Sequence, residues 1–85
     1  MLTEVIELPG RIRFHARPSS QLAQEATKYQ SVIFLIAEEL VADIKNPIAL
    51  MRLGALKNGR IELIADGADE QEAIQAIRHV LTTIF

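Results

Sequence analysis

Apolar and polar residues along the chain recur with two different periods, and the points where the period changes mark the elements. Leu2 to Leu8 reads as a strand with imperfect alternation. It is closed by Pro9-Gly10, a turn pair in which Pro sets φ and Gly supplies a positive φ. Arg11-Ile12-Arg13-Phe14 alternates polar with apolar, so one face of this segment, carrying Ile12 and Phe14, is predicted to look inward. Pro18, Leu22, Ala26 and Tyr29 then recur at spacings of four and three, a helix stripe. A proline is tolerated only in the first turn of a helix. That puts the helix start near Ala16 and His15 at or beside its N-cap.

The β-branched, apolar run Val32 to Ala37 predicts a buried strand, with Leu40 to Ile44 as its antiparallel partner across Glu38-Glu39. That turn lacks the Gly or Asn a tight hairpin prefers. Asn46-Pro47 matches an N-cap followed by Pro at the first helical position, opening a short helix that ends at Gly54. Lys57-Asn58-Gly59-Arg60 turns into a further strand, Ile61 to Ala65. In the last element Asp69, Glu70 and Glu72 occupy the first turn, where carboxylates complement the helix dipole. Its apolar stripe is Ile74, Ile77, Leu81 and Ile84, backed by Ala73 and Val80. The order β-α-β-β-α-β-α predicts an α+β class: one domain over residues 1–85, with a four-stranded antiparallel sheet carrying helices on one face.

Composition narrows the function classes. With 85 residues, 49% of them apolar, the chain can build a core but has little room for a deep substrate pocket. A small binding or carrier module is therefore expected rather than an enzyme. There is no cysteine, which removes disulfides and thiolate metal sites and fits a reducing, cytoplasmic compartment. Two histidines without cysteine make no metal signature, and no cofactor is expected. The longest apolar run, Val32 to Ala37, is far too short to span a bilayer, and no signal peptide is read at the start. The net charge of −2 carries no nucleic-acid signature.

Of the two histidines, His79 falls off the apolar stripe of the last helix and is read as solvated. His15 meets a helix N-terminus, with Arg17 two residues on. Unpaired amides and a guanidinium there form an anion site, suited to a ring nitrogen that accepts and releases a phosphoryl group. The alternative is a surface or capping histidine. Glu70 and Glu72 are two apart and do not share a helix face, so they are not an acid/base pair. After Asn46, Leu50 and Leu53 can face the core, which leaves Pro47, Ile48 and Met51 on another side. That side reads either as a partner surface or as core packing of a sunken helix.

The charge is unevenly placed. Leu8 to Gln24 holds Arg11, Arg13 and Arg17 without an acid, and Ile44 to Ile61 holds Lys45, Arg52, Lys57 and Arg60 without an acid. If the two stretches are neighbours in the fold, they surround His15 with a basic surface that steers acidic protein partners.

These residues resemble the HPr family, the histidine phosphocarriers of the phosphoenolpyruvate-dependent sugar phosphotransferase system. Phe14-His15-Ala16-Arg17-Pro18 is similar to the family's active-site stretch. Thr27-Lys28-Tyr29 resembles the end of its first helix. Lys45, Met51, Leu53-Gly54 and Lys57 fall in step with its second-helix region, and Gly67-Ala68-Asp69-Glu70 with Ala73-Ile74 resembles the start of its last helix. The resemblance implies an open-faced sandwich of four antiparallel strands under three helices. It implies that His15 accepts a phosphoryl group on Nδ1 from enzyme I and passes it to enzyme II A-domains. In this picture the chain is a stoichiometric carrier and a monomer. Arg17 and the amides from Ala16 onward would hold the phosphate. Phe14, Ser20, Gln24, Pro47, Ile48, Met51 and Arg52 would meet partners.

There are departures from the family pattern. Asn46 stands where many Gram-positive members carry a regulatory serine, so control by the serine kinase is not expected there. Ile12 and Arg13 replace small or polar residues, and Pro47 and Arg52 alter the docking helix. A regulatory relative, of the nitrogen type or another, and an interaction module that binds without transfer remain the alternatives.

Overall fold

The structure, a computed structural model, describes all 85 residues. Strands β1 (Leu2–Glu7), β2 (Ile12–Arg13), β3 (Val32–Ala37), β4 (Leu40–Asp43), β5 (Ala55–Leu56) and β6 (Arg60–Asp66) are joined by helices α1 (Ala16–Ala26), α2 (Pro47–Met51) and α3 (Glu70–Ile84). Four strands form one antiparallel sheet, as expected, and their order in it is β1-β6-β3-β4. The expected order lacked one feature: β2 and β5 make a separate two-stranded ribbon, with Ile12 opposite Leu56 and Arg13 opposite Ala55. Strands of two residues carry too little pattern to be seen until their distant partner is known.

All three helices lie on one face of the sheet. Ile6, Ile33, Leu35, Ile61 and Leu63 point from the sheet into the core, where they meet Leu22 and Ala26 of α1, Leu50 of α2, and Ile74, Ile77 and Leu81 of α3. Each of these leucines and isoleucines contributes about 1.5–3 kcal/mol by leaving water. That burial explains α2. A helix of five residues does not persist alone in water. It is held by Leu50 and Leu53, both buried, and by the Asn46 side chain, whose Oδ1 accepts from the Ile48 and Ala49 amides at 3.0 and 3.3 Å.

α1 ends three residues short of its apolar stripe. Ala26 is its last residue, and the Thr27 hydroxyl donates back to the Gln24 carbonyl at 2.9 Å. Tyr29 packs against the core from the turn beyond. The β3–β4 hairpin turns through Glu38 and Glu39, both left-handed, with φ of 49° and 71°. A non-glycine residue costs about 1–2 kcal/mol there. Glu38 is held in place by its carboxylate, which accepts from the Lys57 amide at 2.6 Å.

Asp69 precedes the first turn of α3 as its N-cap, but makes no capping bond. Its carboxylate reaches the loop after α1 instead, accepting from the Ser31 hydroxyl at 2.5 Å and from the Gln30 and Ser31 amides at 2.8 and 2.9 Å. The Ser31 hydroxyl first, and the Gln30 amide next, hold the Asp69 carboxyl below its ordinary value. Glu70 is also lowered, by the Gly67 amide foremost and then by the ammonium of Met1. This pair of carboxylates binds the start of α3 to the rest of the molecule.

Candidate functional site

His15 stands between two anchored neighbours. On one side the Phe14 amide donates to the Gly54 carbonyl at 2.8 Å, and the Phe14 ring is buried edge-on to Phe85 with centroids 5.3 Å apart. On the other side Pro18 and Ser19 are buried in the first turns of α1. His15 itself is exposed. It is the N-cap of α1, in extended conformation, and its side chain makes no capping bond. Its carbonyl accepts from the Ser19 amide at 3.2 Å.

Pro18 has no N–H, so the amides left without helical acceptors at this end are those of Ala16 and Arg17. Both residues are exposed, and the first turn holds no acid. No ion pair in the structure engages Arg17. An exposed imidazole, two unpaired amides and a free guanidinium therefore share one helix end. The helix dipole adds positive potential there, a setting that favours an anion.

The residues expected to meet partners fall into two groups. Ser20, Gln24 and Pro47 come together with Ala23 and Thr27 around a groove of 240 Å³ between α1 and α2. Ile48 is 55% exposed, Met51 is partly exposed, and Arg52 is the exposed C-cap of α2. Phe14 is different: its side chain is 1% exposed, so it is a core anchor for the histidine loop and not a partner contact. The inward alternation of Ile12 and Phe14 is the signal for this, and it outweighs the partner role that the resemblance implies.

The basic surface is smaller than the charge segregation predicts. Lys45 turns away and donates to the Tyr29 carbonyl at 2.8 Å, at the far end of α1. Arg60 pairs with Glu7 at 3.4 Å. With Arg11 and Lys57 these two line a separate open hollow of 570 Å³. The Phe14–Gly54 hydrogen bond and the pairing of Arg13 with Ala55 instead bring the segment that follows α2 and Arg52 alongside the loop that carries His15.

Gly54 is a positioning residue that sequence reasoning placed only as a helix stop. Its φ of +62° is open to glycine and strained for other residues. It turns the chain so that its carbonyl can hold Phe14. Asn46 fills its capping role and offers no hydroxyl for phosphorylation. No helix of the structure is long and apolar enough to cross a membrane.

The family model described as "PTS HPr component phosphorylation site" matches residues 4–83. The chain is 48% identical to the phosphocarrier protein HPr of Mycoplasma genitalium over 71 residues, 82% of this chain and 81% of that protein. It is 34% identical to the phosphocarrier protein HPr of Neisseria meningitidis over 100% of this chain and 96% of that protein. Among solved structures, a mycoplasma histidine-containing phosphocarrier protein superposes with a TM-score of 0.86 at 34% identity, covering 98% of this chain and 94% of that one.

Proposed function

The chain belongs to the HPr family of phosphotransferase-system phosphocarriers, and on that premise we propose that His15 is the residue that carries the phosphoryl group. A member of this family is a phosphoryl carrier, modified and discharged by other proteins, and not itself a catalyst. One observation carries the assignment to His15. It is the exposed N-cap of α1, beside two unpaired amides and a free guanidinium, in a helix turn without acids.

In this reading Nδ1 of His15 attacks the phosphorus held by phosphorylated enzyme I. The new N–P bond forms as the bond to the donor breaks, and the reverse exchange delivers the group to an enzyme II A-domain. The Ala16 and Arg17 amides and the Arg17 guanidinium balance the charge of the bound group. Transfer of this kind rests on positioning and electrostatic stabilisation, which a small rigid helix end supplies. The groove of Ser20, Gln24 and Pro47, with Ile48, Met51 and Arg52 beside it, forms the docking surface. The protein works as a monomer in the cytoplasm.

Incubation with a competent enzyme I and phosphoenolpyruvate, followed by intact mass, tests the assignment. An acid-labile phosphoryl adduct is expected on the wild type and none on His15→Ala. Wild-type protein that stays unmodified would refute transfer. Met51→Glu is expected to weaken enzyme I binding about tenfold, the scale of one interface contact. Unchanged affinity in calorimetry would remove Met51 from the docking surface.

A further inference from the structure

The sheet face opposite the helices bears the second feature of note. Residue register assigns to it Thr3, Val5 and Glu7 of β1, Arg60, Glu62, Ile64 and Asp66 of β6, Val32, Phe34 and Ile36 of β3, and Val41 and Asp43 of β4. An antiparallel sheet with one face in water reads as apolar in and polar out. Here β3 is Val-Ile-Phe-Leu-Ile-Ala, apolar on both faces, the pattern of a strand covered on both sides. Across the register Ile64 faces Phe34 and Ile36 faces Val41, so these four apolar side chains are contiguous, with Glu62 set between Ile36 and Val5. Val5, Val32 and Val41 are 47%, 50% and 63% exposed. At one end of the face, Val5, Ile36, Glu38, Arg60 and Glu62 line an open hollow of 360 Å³, roomy enough for a large side chain.

Charge selects the occupant. Four carboxylates, Glu7, Glu62, Asp43 and Asp66, lie on this face against one side-chain cation, Arg60, which is paired with Glu7. The Met1 ammonium offsets Asp66, leaving Glu62 and Asp43 without a cationic partner. Stacking two copies face to face would set carboxylates against carboxylates. An anionic lipid surface would be repelled. An apolar surface bearing cations meets both the apolar side chains and the carboxylates set among them and beside them. Sheets cover such faces with helices.

We infer that the open face of the sheet docks a basic amphipathic helix of another protein, its apolar side chains on Val5, Phe34, Ile36, Ile64 and Val41 and its lysines or arginines at Glu62 and Asp43. This surface lies across the sheet from His15, so it can be occupied during phosphoryl transfer.

The test uses the isotope-labelled full chain and two designed helical peptides with the same leucine stripe, one flanked by lysines and one by glutamates. Amide shifts at Val5, Phe34, Ile36 and Ile64 are expected with the lysine peptide only. Binding should weaken about tenfold in Ile64→Thr and, with the apolar set intact, in Glu62→Lys. The exposed-face threonine keeps strand propensity, and phosphoryl uptake by both variants serves as the folding control. Equal binding of both peptides, no binding, or shifts confined to α1 and α2 would overturn the inference. So would a dimer of the chain alone in sedimentation that Ile64→Thr abolishes, since a second copy would then be the occupant.

Discussion

The starts of α1 and α3 are the same structural object treated in opposite ways. At α3 the N-cap Asp69 ties down the Ser31 hydroxyl and the Gln30 and Ser31 amides, the Glu70 carboxylate receives the Gly67 amide, and acids fill the first turn. At α1 the N-cap His15, like Asp69, makes no capping bond, but no acid stands in the first turn, and Arg17 is free. α2 has no acid in its first turn either, but its amides are capped by Asn46. One helix end of the three is left electrically unsatisfied, and it is the one that carries an exposed imidazole. An anion site at a helix end thus depends on what the sequence withholds from that end as much as on what it places there.

With His15 kept in place, the largest expected effect comes from removing the free cation. Arg17→Ala is expected to slow phosphoryl uptake about 10²-fold, the scale of losing one charge-stabilising donor. Its unfolding midpoint should stay that of the wild type, because the exposed guanidinium holds nothing else. Stopped-time transfer assays at limiting enzyme I measure the first, and urea titration the second. Equal rates would mean that the amides alone hold the phosphate.

A smaller effect should follow from making α1 resemble α3. Ala16→Asp puts a carboxylate where the proposed assignment to His15 places the phosphoryl charge. Transfer is expected to fall about tenfold through like-charge repulsion, while the helix gains about 0.3–1 kcal/mol from the dipole. Opposite signs for activity and stability would establish that the two starts differ by design of charge. A loss of both would point to a steric cause.

The smallest effect lies at α3 and depends on pH. The Asp69 carboxyl titrates below its ordinary value of 3.8 in the fold, so the folded state binds fewer protons there than the unfolded chain. Its stabilisation is present above the ordinary value and is lost as pH falls through the lowered one. Asp69→Asn should therefore be less stable at neutral pH and show a flatter acid limb, with phosphoryl uptake unchanged. Urea midpoints from neutral to strongly acidic pH measure it, and parallel limbs would remove the linkage.

Much of the site was legible because its signals are local. Pro18 restricts the helix start, the Pro18–Leu22–Ala26 stripe orients it, and together they put His15 at the cap. Asn46-Pro47 announced α2 by the same logic, and Ile48 emerged exposed with Leu50 and Leu53 buried, as their spacing predicted. Phe14 is a core residue where the family resemblance implies a partner contact, because its alternation with Ile12 turns it inward. Asp69 looked like one more dipole-compensating acid, because nothing nearby in the chain reveals that Gln30 and Ser31 lie against it.

By itself, then, the sequence determined the periods, the caps and the breaks: where each helix starts, which face of it is apolar, and which helix end lacks acids. These follow from interactions between residues a few positions apart, and such interactions are written in spacing. Tertiary structure decided what depends on distant segments meeting: the β2–β5 ribbon, the hold of Gly54 on Phe14, and which cations stay near His15. It also decided that the outer face of β3 lies open. A strand that is apolar on both sides reads the same whether one face or two are covered, and only the placement of all three helices on one side of the sheet distinguishes them.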